Sequence, residues 1–316
     1  MLIYTLNRIL YLVPVLFILT VVVFSFVHCL PGDVIDVLAG QEGTVDPEVR
    51  QALEREYGLN KPVYVQYGIW LKRVLHGDFG TSLVTRRPIA IEFFQRIPAT
   101  LYLALVGTLI SLCIAVPLGT MAAVKRNTLV DYAAQVVSLV GISIPEFWFA
   151  LLSVLFFALY LGWLPSSEYY SPFEHFVLGI KHMILPAAAL GIRQAAITTR
   201  LTRSTMLDEV QKEYVDTARA MGLPEPKVIY QYTLRNAMIP TLTISGLQLA
   251  QMLGGTVVIE TIFAWPGVGR TLFEAIISRD FPVIQAGVLI LGIAVVVINL
   301  LVDLMYRVLN PRVRLA

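Results

Sequence analysis

Charge is scarce in this 316-residue sequence: only 15% of its residues are Asp, Glu, Lys or Arg, against about 25% in an ordinary soluble protein. With 57% hydrophobic residues and a mean hydropathy of +0.72, too little polar surface is left to cover a water-facing globule. Length alone suggests two soluble domains, but that prior assumes a surface this composition does not supply. Cysteine is nearly missing as well. Cys29 and Cys113 both sit in apolar runs, which excludes a disulfide framework and any metal-type Cys spacing. The formal net charge is only +2, without the basic excess that marks a nucleic-acid partner.

Catalytic motifs are absent too. There is no G-x-x-x-x-G-K-[ST], nor any Gly-Lys pair, so the chain has no P-loop of its own for nucleotide. H-E-x-x-H, C-x-x-C and G-x-S-x-G are missing. His28, His76, His175 and His182 are scattered along the chain and read as solvated or interfacial residues in preference to a metal relay. Gly267-Val268-Gly269 lacks the third glycine of a dinucleotide loop and reads as a turn.

What the sequence has is long apolar runs. A bilayer core takes about 20 apolar residues per helix. Ile9 to Val27, Ala99 to Val124, Ala237 to Ile259 and Phe281 to Val302 are uncharged throughout. Tyr132 to Ser167 carries one charge, Glu146, and Met183 to Thr199 carries one, Arg193. These runs predict an all-α polytopic membrane protein with six transmembrane helices. The first run exceeds the length of a signal-peptide core, and no A-x-A-like site precedes Pro31-Gly32-Asp33, so an uncleaved helix is expected. Lys and Arg fall mainly on one side: Arg8, Lys125, Arg126, six residues between 200 and 236, then Arg307, Arg312 and Arg314. The short loops opposite carry only Lys181, Arg270 and Arg279. The positive-inside rule therefore predicts cytoplasmic N- and C-termini. The expected organisation is a first transmembrane helix (1–30), an extracytoplasmic helical segment (31–98) and a five-helix core (99–316) holding a cytoplasmic loop (200–236).

In the outer segment, Asp46-Pro47 opens one helix that Gly58 ends, and Pro62 opens another that closes near Gly77. Gly77-Asp78-Phe79-Gly80 reads as a turn, and Tyr64, Tyr67, Trp70 and Phe79 offer apolar contacts. In the inner loop, Leu201 to Met221 has helical spacing, Gly222 fits a C-cap and Pro224 a stop, and a second helix follows from Glu225 to Arg235. The result is a helix-turn-helix protrusion, whose small residues Ala218, Ala220 and Gly222 permit close approach by another surface. An interfacial amphipathic helix is the alternative.

The two intramembrane charges are the other clue, because a charge at mid-bilayer costs at least about 2.5–3.5 kcal/mol and usually faces a bundle interior or an aqueous path. Pro145 is expected to interrupt the third span beside Glu146, and Pro186 with Gly191 the fourth near Arg193. Pro145, Glu146 and Arg193 are candidates for a translocation path, or the two charges for a pair locking two helices. Asp303 reads as interfacial, near Arg307.

Asp216-Thr217-Ala218, with Gly222 six residues after Asp216, resembles the E-A-A-x-x-x-G loop of permease subunits of bacterial binding-protein-dependent ABC importers. Asp and Thr stand where the general motif has Glu and Ala, and its later I-x-L-P element falls on Tyr232, Leu234 and Arg235. The strings 202–207, 214–222 and 234–240 are similar to the peptide/nickel branch. So are Leu30-Pro31-Gly32-Asp33, Gly77-Asp78-Phe79-Gly80, the string 260–270 and Asn310-Pro311-Arg312. The resemblance spans essentially the whole chain. It implies a type I ABC importer permease-like fold in a bacterial inner membrane. It further implies a second homologous permease subunit, two ATPase subunits that hold ATP and magnesium, and an extracytoplasmic substrate-binding protein. No cofactor is expected on this chain and no catalysis of its own. By this resemblance Glu213, Asp216, Thr217, Ala218, Gly222 and Arg235 form the ATPase-coupling loop. Short peptides are the implied cargo, with nickel, its chelates or glutathione as alternatives within the branch. Gly162-Trp163-Leu164-Pro165 and the short loop after it are more similar to the nickel and glutathione forms. From another class, an ion-coupled secondary transporter or channel using Glu146 and Arg193 remains the rival reading.

Overall fold

The computed structural model describes residues 2–29 and 60–309. The Asp46–Gly58 helix, Leu30-Pro31-Gly32-Asp33 and Asn310-Pro311-Arg312 lie outside the described residues, as do the side chains of His28 and Cys29. Among the described residues every regular element is helical: α1 (Leu2–Cys29), α2 (Val63–Leu75), α3 (Ile89–Val124), α4 (Leu129–Ser143), α5 (Glu146–Ser153), α6 (Phe176–Val210), α7 (Glu213–Ala220), α8 (Glu225–Lys227), α9 (Leu234–Ile262), α10 (Val268–Ile277) and α11 (Phe281–Leu309). Wider π-type turns at Val154–Tyr160 and Val228–Thr233 continue α5 and join α8 to α9.

Four stretches are long and apolar enough to cross a membrane: Ile89–Val124, Phe176–Val210, Glu225–Ile262 and Phe281–Arg307. A fifth, α4 with α5 and its π turn, passes only as a pair bent by 99°. Leu10–Phe26 is a shorter apolar helix. The bend has a local cause. Pro145 is extended (φ −61°, ψ 139°) and so is Ile144 before it, since a proline ring disfavours the α conformation in its predecessor. Pro186 does not do the same: α6 runs unbroken through it for 35 residues. A Cβ on Gly191 would lie 2.6 Å from Gly107 O, and one on Gly107 3.3 Å from Ala187 O. This close packing against α3 begins in the residue after the proline and runs to Gly191, so Gly191 serves contact instead of interruption.

The inner loop departs from the expected single helix over 201–221. Its first half is the end of α6, and the break falls at Gln211–Lys212, where Lys212 turns extended (ψ 144°). Glu209 bridges the break, accepting from Lys212 Nζ at 2.5 Å and Tyr214 OH at 2.7 Å. Gly222 ends α7 as expected, with φ +75°. Gly222 N–H bonds Arg219 O at 2.9 Å and Leu223 N–H bonds Ala218 O at 3.4 Å, the two bonds of a Schellman cap. Pro224 then caps α8. Pro62 opens α2, and Gly77 and Gly80 turn the chain after it with φ +79° and +82°. Gly267-Val268-Gly269 is a helix start instead of a turn, with Gly267 capping α10.

The chain forms two compact units, 1–99 with 266–294, and 100–265 with 295–316. In the first, Ile89 and Phe93 of α3 pack with Val268 and Ala275 of α10 and Ile284 of α11, and Phe79 joins them. Tyr67 and Trp70 lie on Phe24 of α1, with ring centroids 5.3 and 5.6 Å away, while Tyr64 faces outward. Buried Asp280 accepts from Ser82 Oγ (2.5 Å), Leu83 N–H (3.2 Å) and Val84 N–H (3.3 Å), fixing the 82–84 turn.

The second unit centres on α6, which packs on α4, α5 and α9. Its interior is lined with hydroxyls and small residues, as membrane helix contacts require where lipid tails are as apolar as leucine. Thr198 Oγ1 donates to Gln248 Oε1 of α9 at 3.0 Å. A Cβ on Gly119 of α3 would sit 2.7 Å from both Thr199 O and Thr202 Cβ. Glu260 is fully buried and accepts from Thr100 Oγ1 at 2.7 Å.

Candidate functional site

Two places gather the residues singled out by sequence. One is the 213–235 loop. Val215 and Ala218 turn inward onto Val228, with Tyr214 and Leu223 beside them, so a small apolar nucleus holds α7 against the next turn. Ala218 is therefore small for a contact inside the loop, and close approach from outside is left to Ala220 and Gly222, which are exposed. Glu213, Asp216, Thr217 and Arg235 are exposed as well. Thr217 Oγ1 donates back to Glu213 O at 2.9 Å. Arg219 reaches Glu225 at 2.9 Å and Asp216 at 3.4 Å. The Glu225 carboxylate beside it raises the Arg219 guanidinium above its ordinary value, and burial raises the Tyr214 hydroxyl. The loop thus presents a braced, charged surface on a hydrophobic pivot.

The other is the bend at Pro145. Glu146 begins α5 directly after the proline, and Arg193 of α6 donates from Nη1 to its Oε1 at 3.0 Å. The guanidinium side chain is 46% exposed and the carboxylate 23%, so the pair is open at the surface of this chain. Glycines 254 and 255 of α9 leave the approach open: a Cβ on Gly255 would stand 3.8 Å from Glu146 Oε2, and one on Gly254 would meet nothing within 4 Å. Pro145, Glu146 and Arg193 are brought together here, apart from the loop residues.

A second ion pair escaped the sequence reading. Asp131 of α4 is fully buried and accepts two bonds from Arg203 of α6, Nε at 2.5 Å and Nη2 at 2.7 Å. Asn127 N–H (3.0 Å) and Gln135 Nε2 (2.9 Å) complete its shell. Asp131 sits in the first turn of its helix, where an acid reads simply as complementing the helix dipole, and Arg203 lies in a charged stretch. Helix α6 is in this way bound to both halves of the bent span. Among the described residues no group of three or more His, Cys, Asp or Glu could hold a metal ion. His76 Nδ1 faces Lys72 O, and His182 and His175 lie against the Tyr170 ring.

The comparisons with known proteins agree with one another. A protein family described as "Binding-protein-dependent transport system inner membrane component" matches residues 115–315, and its N-terminal companion matches residues 1–104. The dipeptide transport system permease protein DppB of Alkalihalophilus pseudofirmus is 41% identical, covering 99% of this chain and 100% of that protein. DppB of Escherichia coli K12 is 38% identical, covering 99% of both. The glutathione transport system permease protein GsiC of Salmonella choleraesuis is 41% identical, also covering 99% of both. Among solved structures, an inward-facing form of the MetNI methionine ABC transporter matches with a TM-score of 0.57 at 17% identity, over 69% of this chain and 95% of that one. The chain belongs to the family of inner membrane components of binding-protein-dependent transport systems, as a multi-pass permease subunit.

Proposed function

We propose that this chain passes short peptides across the membrane as one permease of an ATP-driven importer. The observation that carries the cargo is its end-to-end similarity to dipeptide and glutathione permeases. Glutathione is itself a short peptide and is the second reading, since its permease is as similar as the nearer dipeptide one. In this proposal six helices cross the bilayer with both termini cytoplasmic, organised as 1–30, 31–98 and 99–316. The partners are a second homologous permease, two ATPase subunits holding ATP and magnesium, and an extracytoplasmic binding protein.

Closure of the ATPase pair on ATP would press on the loop surface formed by Glu213, Asp216, Thr217 and Arg235. Ala218 and Gly222 keep that loop a rigid body, so that the push turns the spans instead of deforming α7. Glu146 and Arg193, at the bend made by Pro145, would line the path. The test is purification of the tagged chain from its native cells in mild detergent, mass spectrometry of what co-elutes, and ATP-driven uptake of labelled dialanine and labelled glutathione after reconstitution with those partners. Co-elution of a second permease and nucleotide-binding subunits, with uptake of either peptide, is expected. A chain that elutes alone and moves solute with an ion gradient would overturn the proposal in favour of an ion-coupled transporter.

A further inference from the structure

Helices α4 and α6 run antiparallel. Asp131 meets Arg203 near one end of the pair, and a Cβ on Gly141 would lie 2.9 Å from Ala196 Cβ toward the other. Between them lies a cleft of about 430 Å³ lined by Gln135, Ile142, Ile197, Arg200, Leu201, Arg203 and Ser204. Antiparallel packing sorts these side chains along the cleft. Gln135, Arg200, Arg203 and Ser204 fall at the Asp131 end, and Ile142 with Ile197 at the other.

The polar end is rich in donors and carries one uncompensated charge. Arg203 is neutralised by Asp131. Arg200 is exposed and makes no hydrogen bond or ion pair among the described residues, which leaves five guanidinium N–H donors. The Ser204 hydroxyl and the second Gln135 amide hydrogen stand beside it. Phosphate oxygens suit such a set, since each accepts and none donates. The apolar end suits an acyl chain. Tyr132, Val136 and Val137 on the same helix α4 are 57–63% exposed, as expected for a surface bathed in lipid. From Gln135 to Ile142, and from Ser204 back to Ile197, the helices rise about 10 Å, the distance over which a leaflet passes from headgroup to hydrocarbon.

We propose that this cleft binds one anionic phospholipid of the cytoplasmic leaflet, with its phosphate on Arg200, Ser204 and Gln135 and an acyl chain along Ile142 and Ile197. The proposal rests on the orientation given above, which places the Lys- and Arg-rich ends of the helices at the anionic leaflet. A carboxylate from the second permease would satisfy Arg200 but leave the apolar trough unfilled, so lipid fits better. The site is independent of the cargo.

The test uses the purified full chain in mild detergent, titrated with dioleoylphosphatidylglycerol, with dioleoylphosphatidylcholine and with inorganic phosphate, read by native mass spectrometry and by thermal unfolding. The expected result is one retained phosphatidylglycerol and a raised melting temperature, with at least about tenfold weaker binding of phosphatidylcholine and none of phosphate alone. Arg200→Gln should abolish that preference and Arg200→Lys should keep part of it, while Arg86→Gln, on a different loop, should leave it intact. Should Arg200→Gln fail to fold, Ser204→Leu blocks the same polar end. Equal binding of the two lipids, unchanged preference in Arg200→Gln and Ser204→Leu, or binding of free phosphate with lipid-like affinity would overturn the proposal. So would loss of the lipid when the second permease joins, which would assign the cleft to a protein interface.

Discussion

Asp131 and Glu146 make the same kind of bond to arginines of the same helix, yet their surroundings predict different consequences. Asp131 is buried and bidentate, so Asp131→Asn leaves Arg203 without its carboxylate and should cost roughly 3 kcal/mol, seen as a lower melting temperature of the purified chain. Adding Arg203→Gln should recover part of the loss. The Glu146 pair is a single hydrogen bond between partly exposed side chains, and if water reaches it along the proposed path it contributes at most about 1 kcal/mol. Glu146→Gln should therefore leave melting almost unchanged and alter uptake alone. Exchanging the two charges separates its possible roles: restored uptake in the double swap marks a lock between helices, and persistent loss marks a path that reads charge. Gly222 gives the third comparison. Its φ of +75° makes Gly222→Val strained by roughly 1–2 kcal/mol, whereas Gly222→Asn is tolerated. Gly222→Trp carries a similar backbone strain but meets no atom within 4 Å of its Cβ, so it should melt only slightly lower and still uncouple ATP hydrolysis from uptake in reconstituted vesicles. Normal uptake by Gly222→Trp would remove Gly222 from the coupling surface. Glu146 and Arg193 were legible in sequence because each is alone in an apolar run. Asp131 and Arg203 were not, because each stands at the edge of a polar stretch and 72 positions separate them.

Of the six apolar runs, four lie in helices long and apolar enough to cross a membrane, one in a pair bent by 99°, and the first in a shorter apolar helix, Leu10–Phe26; where a neighbour sets the geometry, the sequence says less. Pro145 and Pro186 look equivalent in sequence, but one precedes a 99° bend and the other lies inside an unbroken helix, packed on Gly107 of α3 just past the proline. No local rule holds that information. The boundary of the inner loop shifted for a similar reason. Helical periodicity continues from Leu201 to Met221, while Glu209 stabilises a break through Lys212 and Tyr214 that periodicity does not register. Glycine contacts supply a test at this level. Gly119→Ala should push α3 from α6, since the added carbon would lie 2.7 Å from Thr199 O, and a fall in melting temperature with loss of uptake is expected. Gly254→Ala, with open space around it, should be neutral in melting. Asp280→Ala should release the 82–84 turn, with faster proteolysis at that turn as the measurement.

For the molecule as a whole, the balance of 57% hydrophobic to 15% charged residues already carries the class and the membrane context. The sequence has no P-loop, and in the proposed function ATP is hydrolysed on partner subunits. ATP hydrolysis should accordingly be undetectable for the chain alone and should appear when nucleotide-binding subunits co-purify, as a phosphate-release assay of each fraction would show. Helix α6 gives the assembly a further property. From Arg193 to its end at Val210 it extends without a proline for about 26 Å, one end at the Glu146 contact and the other adjoining the 213–235 loop. In the proposed coupling such a rod would be a lever arm. With its fulcrum near Arg193, a tilt of only about 10° carries the loop end through about 4.5 Å, so ångström-scale travel imposed at the loop arrives at the bend as a small rotation, enough to part a contact 3.0 Å long without unwinding any helix.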